Sequence, residues 1–181
     1  MRDKIFAAFL QRQHEEGRAL AAASDLLEVF SMPTVEGEPP QTHIARFRCN
    51  GLVRSTEGEI VEANHFEVMI NFPSDYLRRA DPFQVLTWLG PRNVFHPNIS
   101  DRAPLICVGK LAPSTPLVDL LYQCFEIITY NKVTMREDDA LNVGACRWAR
   151  EHQGRFPVDR RPLKRRALNL EVAEIRKADA A

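Results

Sequence analysis

The chain has 181 residues, of which 45% are hydrophobic and 27% charged, and its 24 basic and 24 acidic side chains give a formal net charge of zero. This length fits one domain that buries roughly 70% of its unfolded surface. The balanced charge argues against a nucleic acid or an anionic membrane surface as the main partner. Because no apolar run reaches ~20 residues and the N-terminal one is too short for a signal peptide, we expect a cytoplasmic protein.

The four cysteines are not spaced for a metal site. They stand at positions 49, 107, 124 and 146, form no C-x-x-C pair, and have no histidine at zinc-finger spacing. The sequence therefore predicts no metal and no other cofactor. Isolated cysteines also fit a reducing compartment better than a disulfide framework.

The distribution of proline separates helical from extended parts of the chain. Residues 1–32 and 117–156 contain no proline, whereas seven of the twelve prolines lie between residues 73 and 116. Helices are therefore expected at both ends, with strands and shaped loops between them. From Asp3 to about Ala22, one side of a helix collects Ile5, Phe6, Phe9, Leu10, Gln13 and Leu20.

Four segments after this helix have the pattern of strands. The first is LLEVF at 26–30, and the fourth is FQVLTW at 83–88. Between them, residues 43–49 and 65–72 alternate apolar and polar side chains, which is typical of half-buried antiparallel strands. STEGE, residues 55–59, is predicted to be the hairpin turn that joins these two strands.

Two helices are predicted after the proline-rich segment. Residues 117–128 carry an apolar helical stripe, and residues 137–152 begin with acidic side chains, which favour a helix N-terminus. The order predicts an α+β domain at residues 1–154, in which a four-stranded antiparallel meander is flanked by an N-terminal helix and C-terminal helices. Residues 155–181 are predicted to be a basic tail, an extra helix starting at Pro162, or a docking surface.

The stretch FHPNISDRAPLICVGK, residues 95–110, raises the question of catalysis. Asn98 and Cys107 would be ~30 Å apart in an extended chain, but the prolines and polar residues between them allow the chain to fold back. Cys107 is then either a small apolar residue of a strand or a nucleophile. A free thiol with a pKa of about 8.5 is slightly ionised at neutral pH, which suffices against an activated thioester.

Two neighbours could assist Cys107. The Asn98 side-chain amide could donate a hydrogen bond to an oxyanion. His96 could act as the base of a Cys–His pair, or it could be a structural imidazole bonded to nearby backbone. The spacing of Cys49 and Cys124 assigns both to the core, while Cys146 fits neither role clearly.

Several of these motifs together resemble those of ubiquitin-conjugating enzymes. The resemblance covers about residues 3–153 and depends on their order and spacing: FEVMINFPSDY (66–76), Pro82, FHPNI (95–99), ICVG (106–109), Pro113 and DDALN (138–142). One such element would carry little weight, but the combination is specific. It implies the fold of that family, with Cys107 in a shallow groove.

The resemblance also implies a reaction and its residues. Cys107 would accept a ubiquitin-like protein as a thioester from an activating enzyme and pass it to an amine of a target lysine. Asn98 would stabilise the oxyanion or hold the loop that shapes it, with His96, Pro97 and Tyr76 in support. Asp139 would orient the incoming lysine. The N-terminal helix would meet the activating enzyme, and neither nucleic acid nor membrane is an expected partner.

The chain departs from the eukaryotic members in the regions that bind ligases. Residues 77–79 are Leu-Arg-Arg where proline and aromatic residues are usual, and Leu111 and Ala112 occupy the place of a tryptophan before Pro113. The arginine- and alanine-rich composition is closer to bacterial relatives that occur in anti-phage defence operons. Two other functions stay open at this point: a catalytically silent binding module of the same fold, and a Cys–His thiol hydrolase.

Overall fold

The computed structural model describes residues 3–35 and 37–165. In chain order its elements are α1 (Lys4–Ala22), β1 (Leu27–Ser31), β2 (Thr42–Phe47), β3 (Gly51–Arg54), β4 (Ile60–Ala63), β5 (Phe66–Asn71), α2 (Pro82–Val85), β6 (Leu86–Gly90), α3 (Leu117–Ile128) and α4 (Val143–Glu151). A short 3-10 turn, Gln153–Arg155, follows α4. This is the predicted α+β architecture, with an N-terminal helix, a four-stranded antiparallel sheet and C-terminal helices.

The main sheet is antiparallel, with strand order β1-β2-β5-β6. One face of β2 and β5 is buried, as the alternation predicts, and it carries Ala45, Phe47, Phe66, Val68 and Ile70. On the opposite face Arg46 bonds to Glu67 (2.8 Å) and Glu28 (3.2 Å), so charged side chains link three neighbouring strands. The period of two along each strand thus separates core from solvent.

Two helices cover the buried face of the sheet. Along α3 the apolar stripe is fully buried and comprises Leu117, Leu120, Leu121, Cys124 and Ile128. On α1 the buried Gln13 accepts a hydrogen bond from the backbone N–H of Leu117 (2.7 Å). Because Leu117 begins α3, Gln13 satisfies a helix-end donor that would otherwise lack a partner.

The connection between β2 and β5 differs from the prediction. β3 and β4 form a separate two-stranded hairpin, and residues 55–59 turn between these two strands rather than between the long ones. The Gly51 backbone passes so close to Phe66 that a Cβ atom there would lie 2.5 Å from the Phe66 ring. Glycine therefore permits the hairpin to fold against the sheet.

Two predicted element boundaries were also wrong. Residues Pro82–Val85 form a helical turn capped by Asp81, so the fourth sheet strand begins at Leu86 rather than at residue 83. Similarly, α4 starts at Val143, because the Asn142 side chain caps it by accepting from the Ala145 N–H (2.9 Å). The acidic residues 137–139 lie in the turn before this helix.

The described part of the C-terminal region packs against the domain. Asp159 is 6% exposed and accepts hydrogen bonds from the Asn50 backbone (3.1 Å) and from Arg161. Leu163 is buried, and Arg165 donates to the Ala22 carbonyl (2.7 Å) at the end of α1. Residues 161–165 are not helical, and the rest of the helix predicted from Pro162 lies outside the described residues.

Among the helices of the described ranges, none combines the length and the apolar character needed to cross a bilayer.

Candidate functional site

The chain folds back between Asn98 and Cys107, so the two residues lie on paired backbone segments. The Cys107 N–H donates to the Asn98 carbonyl (2.8 Å), and the Ser100 N–H donates to the Leu105 carbonyl (3.0 Å). Ile99 and Ile106 form an antiparallel bridge and are both fully buried. Two buried isoleucines therefore anchor the fold-back, while residues 101–103, which include the charged Asp101 and Arg102, form its exposed tip.

The Asn98 side chain joins this fold-back to the segment after α3. Its Nδ2 donates to the Cys107 carbonyl (3.1 Å), and its Oδ1 accepts from the Thr134 N–H (2.9 Å). The residue is only 4% exposed, so both bonds lie where water competes weakly. Asn98 thus bonds both backbone polar groups of Cys107, the N–H through its own carbonyl and the carbonyl through its side chain.

Pro97 connects the same segment to residues 138–142. Its carbonyl accepts the N–H groups of Leu141 (2.9 Å) and Asn142 (3.2 Å). As a result the D-D-x-L-N stretch, which the sequence could only place on the same chain as the H-P-N stretch, lies beside it in space.

His96 has the surroundings of a structural imidazole. Its Nδ1 accepts from the Asn98 N–H (3.0 Å), and its ring meets Tyr130 edge to face with the centroids 4.3 Å apart. Because His96 is buried, its pKa is lowered to about 3. Nε2 has no hydrogen-bond partner within the described ranges. A neutral imidazole in this setting is a poor general base at pH 7.

Exposure distinguishes Cys107 from the other three cysteines, all of which are free thiols. Cys107 is half-buried, whereas Cys49, Cys124 and Cys146 are buried. Burial raises the pKa of Cys49 and of Cys124 to about 12, and it also raises the pKa of Cys146. These three are therefore inert core residues, which confirms the assignment of Cys49 and Cys124 and resolves that of Cys146.

The backbone after Cys107 is held by a lysine. Lys132 is half-buried and its Nζ donates to the Val108 carbonyl (2.6 Å). Gly109 follows with a φ of +88°, a conformation that glycine adopts without strain. The lysine and the glycine together fix the direction of the chain after Cys107.

Tyr76 supports residues 114–115, which follow Gly109 along the chain. Its hydroxyl donates to the Thr115 carbonyl (2.9 Å), and its own carbonyl accepts from the Ser114 N–H (3.3 Å). The ring is fully buried between Phe9 and Phe72. Tyr76 therefore links α1 and the end of β5 to residues 114–115, downstream of Cys107, rather than bonding to the H-P-N stretch itself.

Asp139 lies in the exposed turn that precedes α4. Its side chain is 60% exposed and forms an ion pair with Arg136 (3.4 Å). Arg136 bonds more closely to Asp138 (2.5 Å). Of the three predicted catalytic residues, Cys107 and Asn98 are thus directly bonded. Asp139 is connected to them indirectly, because Leu141 and Asn142 of the same stretch donate to the Pro97 carbonyl.

The arrangement has the elements that acyl transfer needs. It combines an accessible thiol, a nearby amide donor, and an exposed carboxylate on a tethered turn. Within the described ranges, no three His, Cys, Asp or Glu side chains converge in a way that could hold a metal ion.

Three contributors were missed at the level of sequence. Thr134 acts through its backbone N–H, which no side-chain pattern reveals. Tyr130 packs on His96 and its hydroxyl bonds to the Phe95 carbonyl, while Lys132 bonds to the Val108 carbonyl beside Cys107. The only signal for these residues was their place in the short connection between α3 and the D-D-x-L-N stretch.

No protein-family model matches the chain, and a comparison with curated proteins returns no relative.

Proposed function

We propose that this protein is a ubiquitin-conjugating-enzyme-like acyl carrier that receives a ubiquitin-like protein on Cys107 and transfers it to an amine. The observation that carries the proposal is the bonding between Cys107 and Asn98. The one half-buried thiol of the chain belongs to a residue whose backbone N–H bonds to the Asn98 carbonyl and whose backbone carbonyl bonds to the Asn98 side chain. The motif combination described above supplies the reaction class.

The first step is a thioester exchange. The Cys107 thiolate attacks the C-terminal carbonyl carbon of a ubiquitin-like protein that is bound as a thioester to an activating enzyme. A new carbon–sulfur bond forms at Cys107 and the carbon–sulfur bond to the activating enzyme breaks. That enzyme's sulfur leaves as a thiolate, so charge is conserved and no cofactor of this chain takes part.

The second step is aminolysis of the new thioester. A target lysine attacks as the neutral amine, an amide bond forms, the Cys107 sulfur leaves as a thiolate, and the amine proton passes to solvent or to Asp139. A carboxylate close to an ammonium raises its pKa, which opposes deprotonation. We therefore assign Asp139 a positioning role, which its exposure to solvent and its position beside the fold-back support.

Asn98 has two compatible roles in this scheme. One Nδ2 hydrogen already bonds the Cys107 carbonyl, and an amide nitrogen carries a second hydrogen that could meet the oxyanion. The same side chain fixes the loop through Thr134. His96 and Tyr76 act through packing, and the low pKa of His96 argues against a Cys–His hydrolase.

The setting that we propose is the bacterial cytoplasm, in an anti-phage defence pathway. The activating enzyme would dock on α1, where Ile5 is 71% exposed at the start of the helix.

Trapping of the adduct tests the proposal. The protein is incubated with ATP, a cognate activating enzyme and its ubiquitin-like protein, and the products are separated on a non-reducing gel. We expect a band that thiol reagents remove, and Cys107→Ser should make it resistant to thiols or abolish it. The Cys146→Ser variant is the matched control. An unchanged adduct in Cys107→Ala would refute the proposal, and partner binding without any adduct would favour the silent module.

A further inference from the structure

The surface beside the fold-back contains two adjoining clefts. A cleft of about 690 Å³ lies between the end of β3, residues 92–95 and the start of α4. A second cleft of about 580 Å³ lies between β6 and residues 100–104. The two clefts share the lining residues Arg92, Asp101 and Arg102 and therefore adjoin each other; we call the pair the arginine groove.

Three arginines give this groove its charge. Arg54, Arg92 and Arg102 line it, against the single carboxylate of Asp101, in a chain whose net charge is zero. Arg102 and Asp101 are 4.0 Å apart and largely exposed, so that pair contributes little. In the described part of the chain, Arg54 and Arg92 have no carboxylate within ion-pair distance. The groove therefore carries two guanidinium groups without anionic partners.

The Arg54 guanidinium is already held in place. It lies over the Phe95 ring at 5.0 Å from the centroid, and the Arg54 backbone is bonded by Asn93 through a backbone and a side-chain contact. Stacking on an aromatic ring restricts the side chain while leaving its N–H donors free. Because the Arg54 side chain is already restricted, binding of a partner here costs little side-chain conformational entropy at this residue.

Exposed apolar side chains stand at both ends of the groove. Leu89 of β6 is 41% exposed, and Val143 at the start of α4 is 38% exposed. A nucleic acid would place phosphates along the whole length, including next to Asp101, and would gain nothing from these apolar ends. An extended peptide matches the pattern better, because carboxylates can meet the arginines while apolar side chains cover the ends.

We propose that the arginine groove binds an extended acidic segment of a partner protein, with Arg54 and Arg92 as the principal carboxylate ligands. This binding does not depend on the chemistry at Cys107. The groove wall at Asp101 and Arg102 is the tip of the fold-back that joins Asn98 to Cys107. The groove and the proposed acyl-transfer site therefore share this fold-back, with the groove at its tip and Cys107 at its base.

Fluorescence anisotropy with the full chain tests this proposal. The probe is a fluorescein-labelled peptide in which glutamate alternates with leucine, and the reference peptide carries glutamine in place of glutamate. We expect the acidic peptide to bind and the reference to bind at least about tenfold more weakly, since charge-assisted bonds to arginine would be lost. Raising the salt concentration should weaken the binding of the acidic peptide.

Paired variants separate a specific groove from general charge. The double variant Arg54→Gln/Arg92→Gln should weaken binding of the acidic peptide about tenfold or more. The single variant Arg92→Gln keeps the contact between Arg54 and Phe95, and it should also weaken binding; it serves as the test if the double variant does not fold. Arg78→Gln/Arg79→Gln removes the same charge from an exposed turn and should change binding less than about twofold. Equal losses in both pairs, no binding by the wild-type protein, or tighter binding of single-stranded DNA at the same arginines would each overturn the proposal.

Discussion

Replacement of Asn98 by alanine tests the bonding that organises the site. The side chain makes one hydrogen bond to the Cys107 carbonyl and one to the Thr134 N–H, both at a position 4% exposed. Leaving each buried partner unsatisfied costs about 1–3 kcal/mol. The two losses together should lower the free energy of unfolding by about 2–6 kcal/mol. For a protein of this size that corresponds to a drop of about 4–24 °C in Tm.

Asn98→Asp separates the two bonds. A carboxylate can still accept from the Thr134 N–H, but when ionised it cannot donate to the Cys107 carbonyl. We expect about half of the stability loss of Asn98→Ala at pH 7. Part of this loss should be recovered at acidic pH, where the protonated carboxyl can donate. Thermal unfolding followed by circular dichroism at both pH values measures these differences.

The rate of thioester discharge distinguishes the two roles of Asn98, which are stabilisation of the loop and hydrogen bonding to the oxyanion. Below the unfolding temperature of each variant, discharge of a preformed Cys107 thioester to free lysine should be about 10²–10³ slower in Asn98→Ala. Asp159→Ala is the matched control, because it breaks buried hydrogen bonds to Asn50 and Arg161 in the C-terminal segment. An unchanged Tm in Asn98→Ala would refute the bonding scheme, and equal slowing in both variants would refute the oxyanion role.

Three further predictions concern burial. Burial lowers the pKa of His96 to about 3 and that of the buried β2 histidine to about 4, so both folded values lie below the unfolded value near 6.5. The unfolded state therefore binds more protons than the folded state as the pH falls. Each histidine should cost roughly 2 kcal/mol of stability between pH 6.5 and pH 5, as measured by urea titrations. A stability that stays flat over this interval would contradict their burial. A thiol reagent should label one sulfur of the native protein in a fast phase, and Cys107→Ala should remove this fast phase. Fast labelling of two or more sulfurs would contradict the burial of Cys49, Cys124 and Cys146. Gly51→Ala should lower the free energy of unfolding by about 1–3 kcal/mol, because the new Cβ would overlap the Phe66 ring. In the same denaturation assay Gly154→Ala should change the free energy of unfolding little, because its Cβ would meet no atom within 4 Å. Equal effects of the two substitutions would refute the close approach of Gly51 to Phe66.

The parts of the fold that followed from the sequence are those in which periodicity and burial agree. In β2 and β5 the alternation assigned each side chain to the correct face, and in α3 the apolar stripe matched the buried residues. The hairpin of β3 and β4 was missed because the turn at residues 55–59 is compatible with either pairing. Only the contact between Gly51 and the sheet, which is tertiary, distinguishes the two.

Helix starts were misjudged where two signals competed. Acidic residues 137–139 favour a helix N-terminus, but Asn142 supplies the side-chain cap and moves the start of α4 to Val143. At the site, the spacing of Asn98 and Cys107 allowed a fold-back but could not show it. The bonds that create the site run to backbone groups of Cys107, Thr134 and Leu141, which leave no mark in the residue pattern.

Mapping of the covalent adduct tests the central claim most directly. The wild-type protein is incubated with ATP, the activating enzyme and the ubiquitin-like protein, then digested without reduction and analysed by mass spectrometry. The account predicts that the C-terminal residues of the modifier are attached to the peptide containing Cys107 and are released by hydroxylamine. Attachment at any other cysteine, or an adduct that persists unchanged when Cys107 is alanine, would contradict it.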